Sequence, residues 1–121
     1  MNAAIHAYDN AGRTLSTGRV AEAMAFSHAA QALEDARVNP DDRDKLRHAL
    51  RLNRLVWTAV QAEITQEASI LPRRLKASLM SLSLFVDRVM AAAPVKFDPI
   101  QLQALIDINR EMAAGLIDAR Q

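Results

Sequence analysis

The sequence predicts an all-α protein, a compact antiparallel bundle of four long helices preceded by a short N-terminal helix. Three observations carry this. Half of the 121 residues are apolar, alanine is abundant, and only three glycines and four prolines occur. Alanine, leucine, arginine and glutamate are good helix formers. At 100° per residue, the apolar side chains of each long stretch collect on one face. The breaking residues gather at Gly12 to Gly18, Asn39-Pro40, Leu71-Pro72 and Pro94 to Pro99, which leaves one short and four long stretches between them. Loops of about three to seven residues then force neighbouring helices to run up and down.

The first stretch, about Ala3 to Ala11, carries Ile5 and Tyr8 on one side. A helix this short needs docking to be stable. The second runs from about Gly18 to Arg37, with Thr17 as its N-cap. Its apolar set is Ala23, Phe26, Ala29, Ala30 and Leu33. Small residues in this set let helix axes approach closely. The third helix is capped by Asp41 or Asp42, and Asp44 in its first turn suits the helix dipole. Leu46, Ala49, Leu50, Asn53, Val56, Trp57, Val60 and Ile64 share one arc of about 120°. A second stripe, Leu52, Leu55, Ala59 and Ala62, lies largely opposite. A helix apolar on two sides is central in the bundle or supplies a partner surface. The fourth helix starts at Pro72, a good first-turn residue. Leu75, Leu79, Leu82, Phe85, Val86, Val89 and Met90 form its core face, with Met80 and Leu84 pointing the other way. The fifth is capped by Asp98 with Pro99 at its first position. Its face is Leu102, Leu105, Ile106, Asn109, Met112, Ala113 and Leu116, and Gly115 starts the fraying of its end.

The length suits one domain over residues 1–121. Such a domain buries roughly two-thirds of the surface its unfolded chain exposes, so it needs no metal or disulfide. There are no cysteines, which removes disulfides, zinc-thiolate sites and thiol catalysis together. The net charge of +1 gives no strong pull toward nucleic acid or membrane. No apolar run approaches the roughly 18 residues that a membrane span requires. Met1 to Ala11 lacks the basic patch and apolar stretch of a signal peptide. The sequence therefore reads as soluble and cytoplasmic.

Nothing in the sequence supports an enzyme or a cofactor. His6, His28 and His48 lie on three different stretches, without the spacing of a metal site on one helix. Ser78, Ser81 and Ser83 fall inside a helix, where a hydroxyl bonds the preceding turn more readily than it attacks a substrate. No glycine-rich phosphate loop and no G-x-S-x-G elbow is present.

Asn53 and Asn109 fall near the centres of two apolar arcs. A buried amide without partners costs about 1–3 kcal/mol. The two are therefore expected to bond each other, or a nearby backbone end, and to fix helix register. The alternative is that they meet a partner's backbone in a groove. Trp57, the only tryptophan, lies on the main apolar face and reads as a core anchor. Arg43, Arg47, Arg51 and Arg54 line one side of the third helix within about 80°. Such a ridge could touch RNA phosphates, but without interleaved aromatics it reads more simply as a solvated flank. The residues placed for partner contact are Leu52, Leu55, Met80 and Leu84, because exposed apolar stripes mark protein interfaces. Arg47 and Arg51 stand beside them as polar contacts.

Four blocks, in order and spacing, resemble the FlaF family of flagellar biosynthesis regulators. They are Ala7-Tyr8 with Arg19, Glu22 and Ala23 in the alanine-rich helix; Ala49 to Trp57; Leu71-Pro72 running through Leu75, Ala77, Leu79 and Ser81-Leu82 to Phe85-Val86; and Leu105 to Arg110 closing with Ala113-Ala114-Gly115-Leu116. Together they span nearly the whole chain. One departure is Ser16-Thr17-Gly18, where the family often has proline and acidic residues. The resemblance implies a regulator of flagellin synthesis and flagellum assembly. It would bind flagellin as a cytoplasmic chaperone-like partner and work alongside the translational regulator FlbT. The competing reading is a post-transcriptional regulator that contacts flagellin mRNA through the arginine flank.

Overall fold

The computed structural model describes residues 16–66 and 71–118. Four helices make up the described fold: α1 (Ser16–Arg37), α2 (Arg43–Thr65), α3 (Arg73–Ala92) and α4 (Pro99–Asp118). The expected short helix over Ala3 to Ala11 lies outside the described residues.

Proline and aspartate set most of the boundaries. At the end of α1, Asn39 donates its side-chain amide to the Asp35 carbonyl at 2.8 Å. Pro40 then stops the helix, because it has no N–H to continue the ladder. Asp42 is the N-cap of α2, and its carboxylate accepts from the Lys45 N–H at 3.1 Å. Asp98 caps α4 in the same manner, accepting from the Ile100 N–H at 3.0 Å and the Gln101 N–H at 3.4 Å. Removing this cap with Asp98→Ala is expected to cost about 1 kcal/mol, read as a lower urea midpoint with an unchanged slope.

Three boundaries differ from the sequence reading. α1 begins at Ser16, so Thr17 lies in its first turn and Gly18 inside it. A helix anchored along most of its length by packing tolerates one glycine near its start. Pro72 is the N-cap of α3, not its first residue, and makes no side-chain cap. At Gly115, where the sequence reading starts the fraying of the end, α4 is still helical and continues to Asp118, with Ala113 and Leu116 on either side of it buried.

Cross-helix contacts show that the chain runs up, down, up and down. Phe26 of α1 meets Trp57 of α2, and Glu22 feels Glu63. Arg43 at the start of α2 bonds Pro94 just past α3, while Gln61 near its end bonds Asp87. Glu34 of α1 lies near Asp107 and Arg110 of α4. α1 packs most extensively, against α4 first and α2 next; α3 leans on α2 and touches α4 lightly. The expected antiparallel arrangement holds for these four helices.

The small residues of α1 explain its central role. Ala23, Ala29, Ala30 and Ala36 are buried beside Phe26 and Leu33. Their size brings neighbouring axes toward the short end of the usual range, about 8–10 Å. Leu46, Leu50 and Trp57 from α2 and Leu102, Leu105 and Ile106 from α4 complete the core. On α3 the predicted face is correct but only partly covered. Val86, Val89 and Met90 are buried, whereas Leu75, Leu79, Leu82 and Phe85 are half-buried. Periodicity shows which way a face points; its coverage depends on how near the next helix lies.

Candidate protein-binding surface

Two features stand out beyond ordinary apolar packing: a polar relay in the core and an open apolar groove. The relay joins α2 to α4. Trp57 Nε1–H donates to Asn109 Oδ1 at 2.9 Å, and Asn109 Nδ2 donates to Asn53 Oδ1 at 2.7 Å. The direction follows from chemistry. An indole N–H can only donate, so the Asn109 atom facing it is oxygen. Asn109 therefore turns its amide nitrogen to Asn53, which must answer with oxygen. Both asparagines are fully buried. Of the two partners expected for each, the other asparagine or a nearby backbone end, the structure shows the other asparagine. Asn53 Nδ2 has no partner among the described residues. The Trp57 ring meets Phe26 edge-on at 5.8 Å, and with 1 % exposure it is the expected core anchor.

The open feature is a groove of about 210 Å³ between α1 and α2. Its wall is Ala25, Phe26, Leu55, Val56, Ala59 and Val60, with Glu22 at its rim. Leu55 is 64 % exposed, and Ala59 and Ala62 beside it are also exposed. Leu52, on the same stripe, is half-buried. The 3-4-3 spacing of Leu52, Leu55, Ala59 and Ala62 is that of a helix-packing seam, here without a helix against it among the described residues. On α1 the groove is lined by Ala25 and Phe26 beside Glu22.

The other predicted contact residues do not share this groove. Met80 is half-buried on α3, where its sulfur and backbone carbonyl both lie within reach of the Ser83 hydroxyl, at 3.7 and 2.9 Å. Ser83 is itself buried, and it bonds the preceding turn as expected. Leu84 is 53 % exposed on the outer side of α3. The four residues predicted for one contact surface thus fall on two helices, and only Leu55 lines the groove.

The arginine flank is divided. Arg43 donates to the Pro94 carbonyl at 2.9 Å, tying the start of α2 to the turn before α4. Arg47 pairs with Asp44 at 2.9 Å, with both side chains exposed, an arrangement worth little in stability. Arg51 and Arg54 are exposed. A larger hollow of about 670 Å³ lies at the α1–α2 turn, beside Asp41, Asp42, Asp44 and Arg47. Two of those aspartates are occupied in capping α2 and in the Arg47 pair. The hollow is therefore the polar surface of a helix start.

Glu22 was not among the predicted site residues. It is exposed as a residue, yet it lines the groove. Desolvation there, and then the negative charge of Glu63 on α2, push its carboxyl up from 4.5 to about 7. Remaining solvent contact screens part of that repulsion. A carboxylate on the outer side of an alanine-rich helix gives no sequence signal of this kind, because its neighbour Glu63 lies on the next helix.

Two comparisons return nothing: no curated protein and no solved structure matches the chain. A third is informative. The sequence matches the family described as flagellar protein FlaF over residues 4–116. That stretch contains all four resembling blocks, the polar relay and the groove. The chain therefore belongs to the FlaF family and is a flagellar protein.

Proposed function

We propose that this protein regulates flagellin synthesis and flagellum assembly by binding flagellin as a chaperone-like partner in the cytoplasm, in concert with FlbT, and that it performs no catalysis. Family membership supplies the flagellar context. The observation that carries the binding role is the α1–α2 groove, where Leu55 stands 64 % exposed above an apolar floor. A large apolar side chain over an apolar groove suits the face of an amphipathic helix, which would join the bundle as an added helix. Ordering such a segment costs free energy, so binding is reversible, as hand-over to an export system requires. No helix among the described residues is long and apolar enough to cross a membrane, which accords with a role before export.

The test is calorimetric titration with flagellin. Leu55→Asp places a charge on the groove wall at an exposed position, so the helical fold should survive. Flagellin affinity should fall by at least about tenfold, a loss of roughly 1.4 kcal/mol. Unchanged affinity in a folded Leu55→Asp variant would move the site elsewhere, with Leu84 the next position to change.

A further inference from the structure

We infer that the segment received by the α1–α2 groove is a helix bearing a lysine or arginine at the edge of its apolar face, and that Glu22 is the residue that selects it. This deepens the proposed function and rests on the groove being the docking site. Three observations support it. First, Glu22 lines the groove together with the apolar wall residues, so an occupant packed on Leu55, Ala59 and Ala25 would pass directly beside its carboxylate. Second, neither the Arg37–Glu34 nor the Arg47–Asp44 ion pair reaches Glu22. Third, desolvation in the groove, and then the charge of Glu63 on α2, raise the Glu22 carboxyl. A cation brought in by a partner would favour its charged form and meet it in a partly desolvated place, where charge-assisted hydrogen bonds are strong.

The wall also specifies an occupant of helical shape. Ala25 on α1 and Ala59 on α2 are the small residues of a lining that also holds Phe26, Val56 and Val60, and Leu55 stands exposed beside them. A helix can seat on small residues at close approach, with its own leucines or valines beside Leu55. The apolar wall supplies affinity for many amphipathic segments. The carboxylate discriminates among them, since a glutamate or aspartate at the matching position would face Glu22 as a like charge.

The experiment titrates flagellin into the parent protein, Glu22→Gln, Glu22→Lys and Leu55→Asp at two salt concentrations. The inference expects a loss of about threefold for Glu22→Gln and at least about tenfold for Glu22→Lys, with the parent's affinity falling as salt rises. It further expects that changing one flagellin lysine or arginine to glutamate restores binding to Glu22→Lys and weakens binding to the parent. If Leu55→Asp abolishes binding while Glu22→Lys binds as the parent does, the cation is wrong and the groove remains the site. If neither variant changes affinity, or the parent does not bind flagellin, the groove reading and the inference fall together. A homodimer of the purified protein that Leu55→Asp dissociates would also overturn the inference, by assigning the groove to a second copy of the chain.

Discussion

Replacing Trp57 with alanine is expected to destabilise the domain by about 3–5 kcal/mol. Single domains are held by only about 5–15 kcal/mol in total, so the variant should be near the edge of folding. Two losses combine. The ring is 1 % exposed and packs edge-on against Phe26 at 5.8 Å, so its removal opens a cavity at the point where α1 and α2 meet. The indole N–H also disappears, leaving Asn109 Oδ1 without its donor. Trp57→Phe separates the two terms. It retains an aromatic ring beside Phe26 and removes only the hydrogen bond and part of the volume, so it should cost about 1–3 kcal/mol. Urea unfolding followed by far-ultraviolet circular dichroism measures both without relying on tryptophan fluorescence. A Trp57→Ala loss no greater than that of Trp57→Phe would show that the surroundings close over the gap.

The second large effect concerns the relay, and the prediction lies in its asymmetry. Asn109 occupies the middle, accepting from Trp57 and donating to Asn53. Asn109→Ala strands two buried groups at once, the Trp57 N–H and the Asn53 carbonyl, and should cost about 3 kcal/mol. Asn53 occupies the end of the relay, and its own Nδ2 already has no partner among the described residues. Asn53→Ala strands only the Asn109 amide nitrogen and at the same time removes an unsatisfied donor. Its cost should be about 1 kcal/mol. The two residues have the same side chain and the same complete burial, so composition and exposure alone would rank them equal. Equal losses, or a greater loss at Asn53, would show that the relay does not run in this direction. A double-mutant cycle between the two positions should give a coupling energy of the size found for contacting polar pairs, about 0.5–3 kcal/mol.

These effects bear on function through the position of α4. The relay is a strong link between α2 and α4, which otherwise meet mainly through α1. Because α1 and α2 also form the groove walls, a substitution that loosens the relay is expected to weaken flagellin binding indirectly. Measuring stability and affinity on the same variants distinguishes such core effects from direct ones at Leu55 and Glu22.

Much of this architecture was readable along the chain. Caps and breaks are local chemistry: Asp42 and Asp98 accept from N–H groups two or three positions away. Proline, lacking an N–H, keeps to helix ends: Pro72 caps α3 and Pro99 opens α4. The buried face of each helix follows from a 3.6-residue period, so Leu46, Ala49, Leu50 and Trp57 were identified before any neighbour was known. That Asn53 and Asn109 each need a polar partner was also readable, because each lies at the centre of an apolar arc; the structure decided that the partner is the other asparagine.

The sequence by itself therefore determined the four described helices and their inward faces, since both depend on which residues lie within a few positions of one another, and the family, through ordered blocks along the chain. Only the tertiary structure decided what the outward faces became. Leu55 and Met80 looked alike on their helices, yet Leu55 lines an open groove between α1 and α2, while Met80 is half-covered beside Ser83. Glu22 lines the groove, and desolvation there, then Glu63 of α2, raises its carboxyl. The physical reason is that exposure, desolvation and charge coupling depend on distances between helices, and those are set by packing across the bundle.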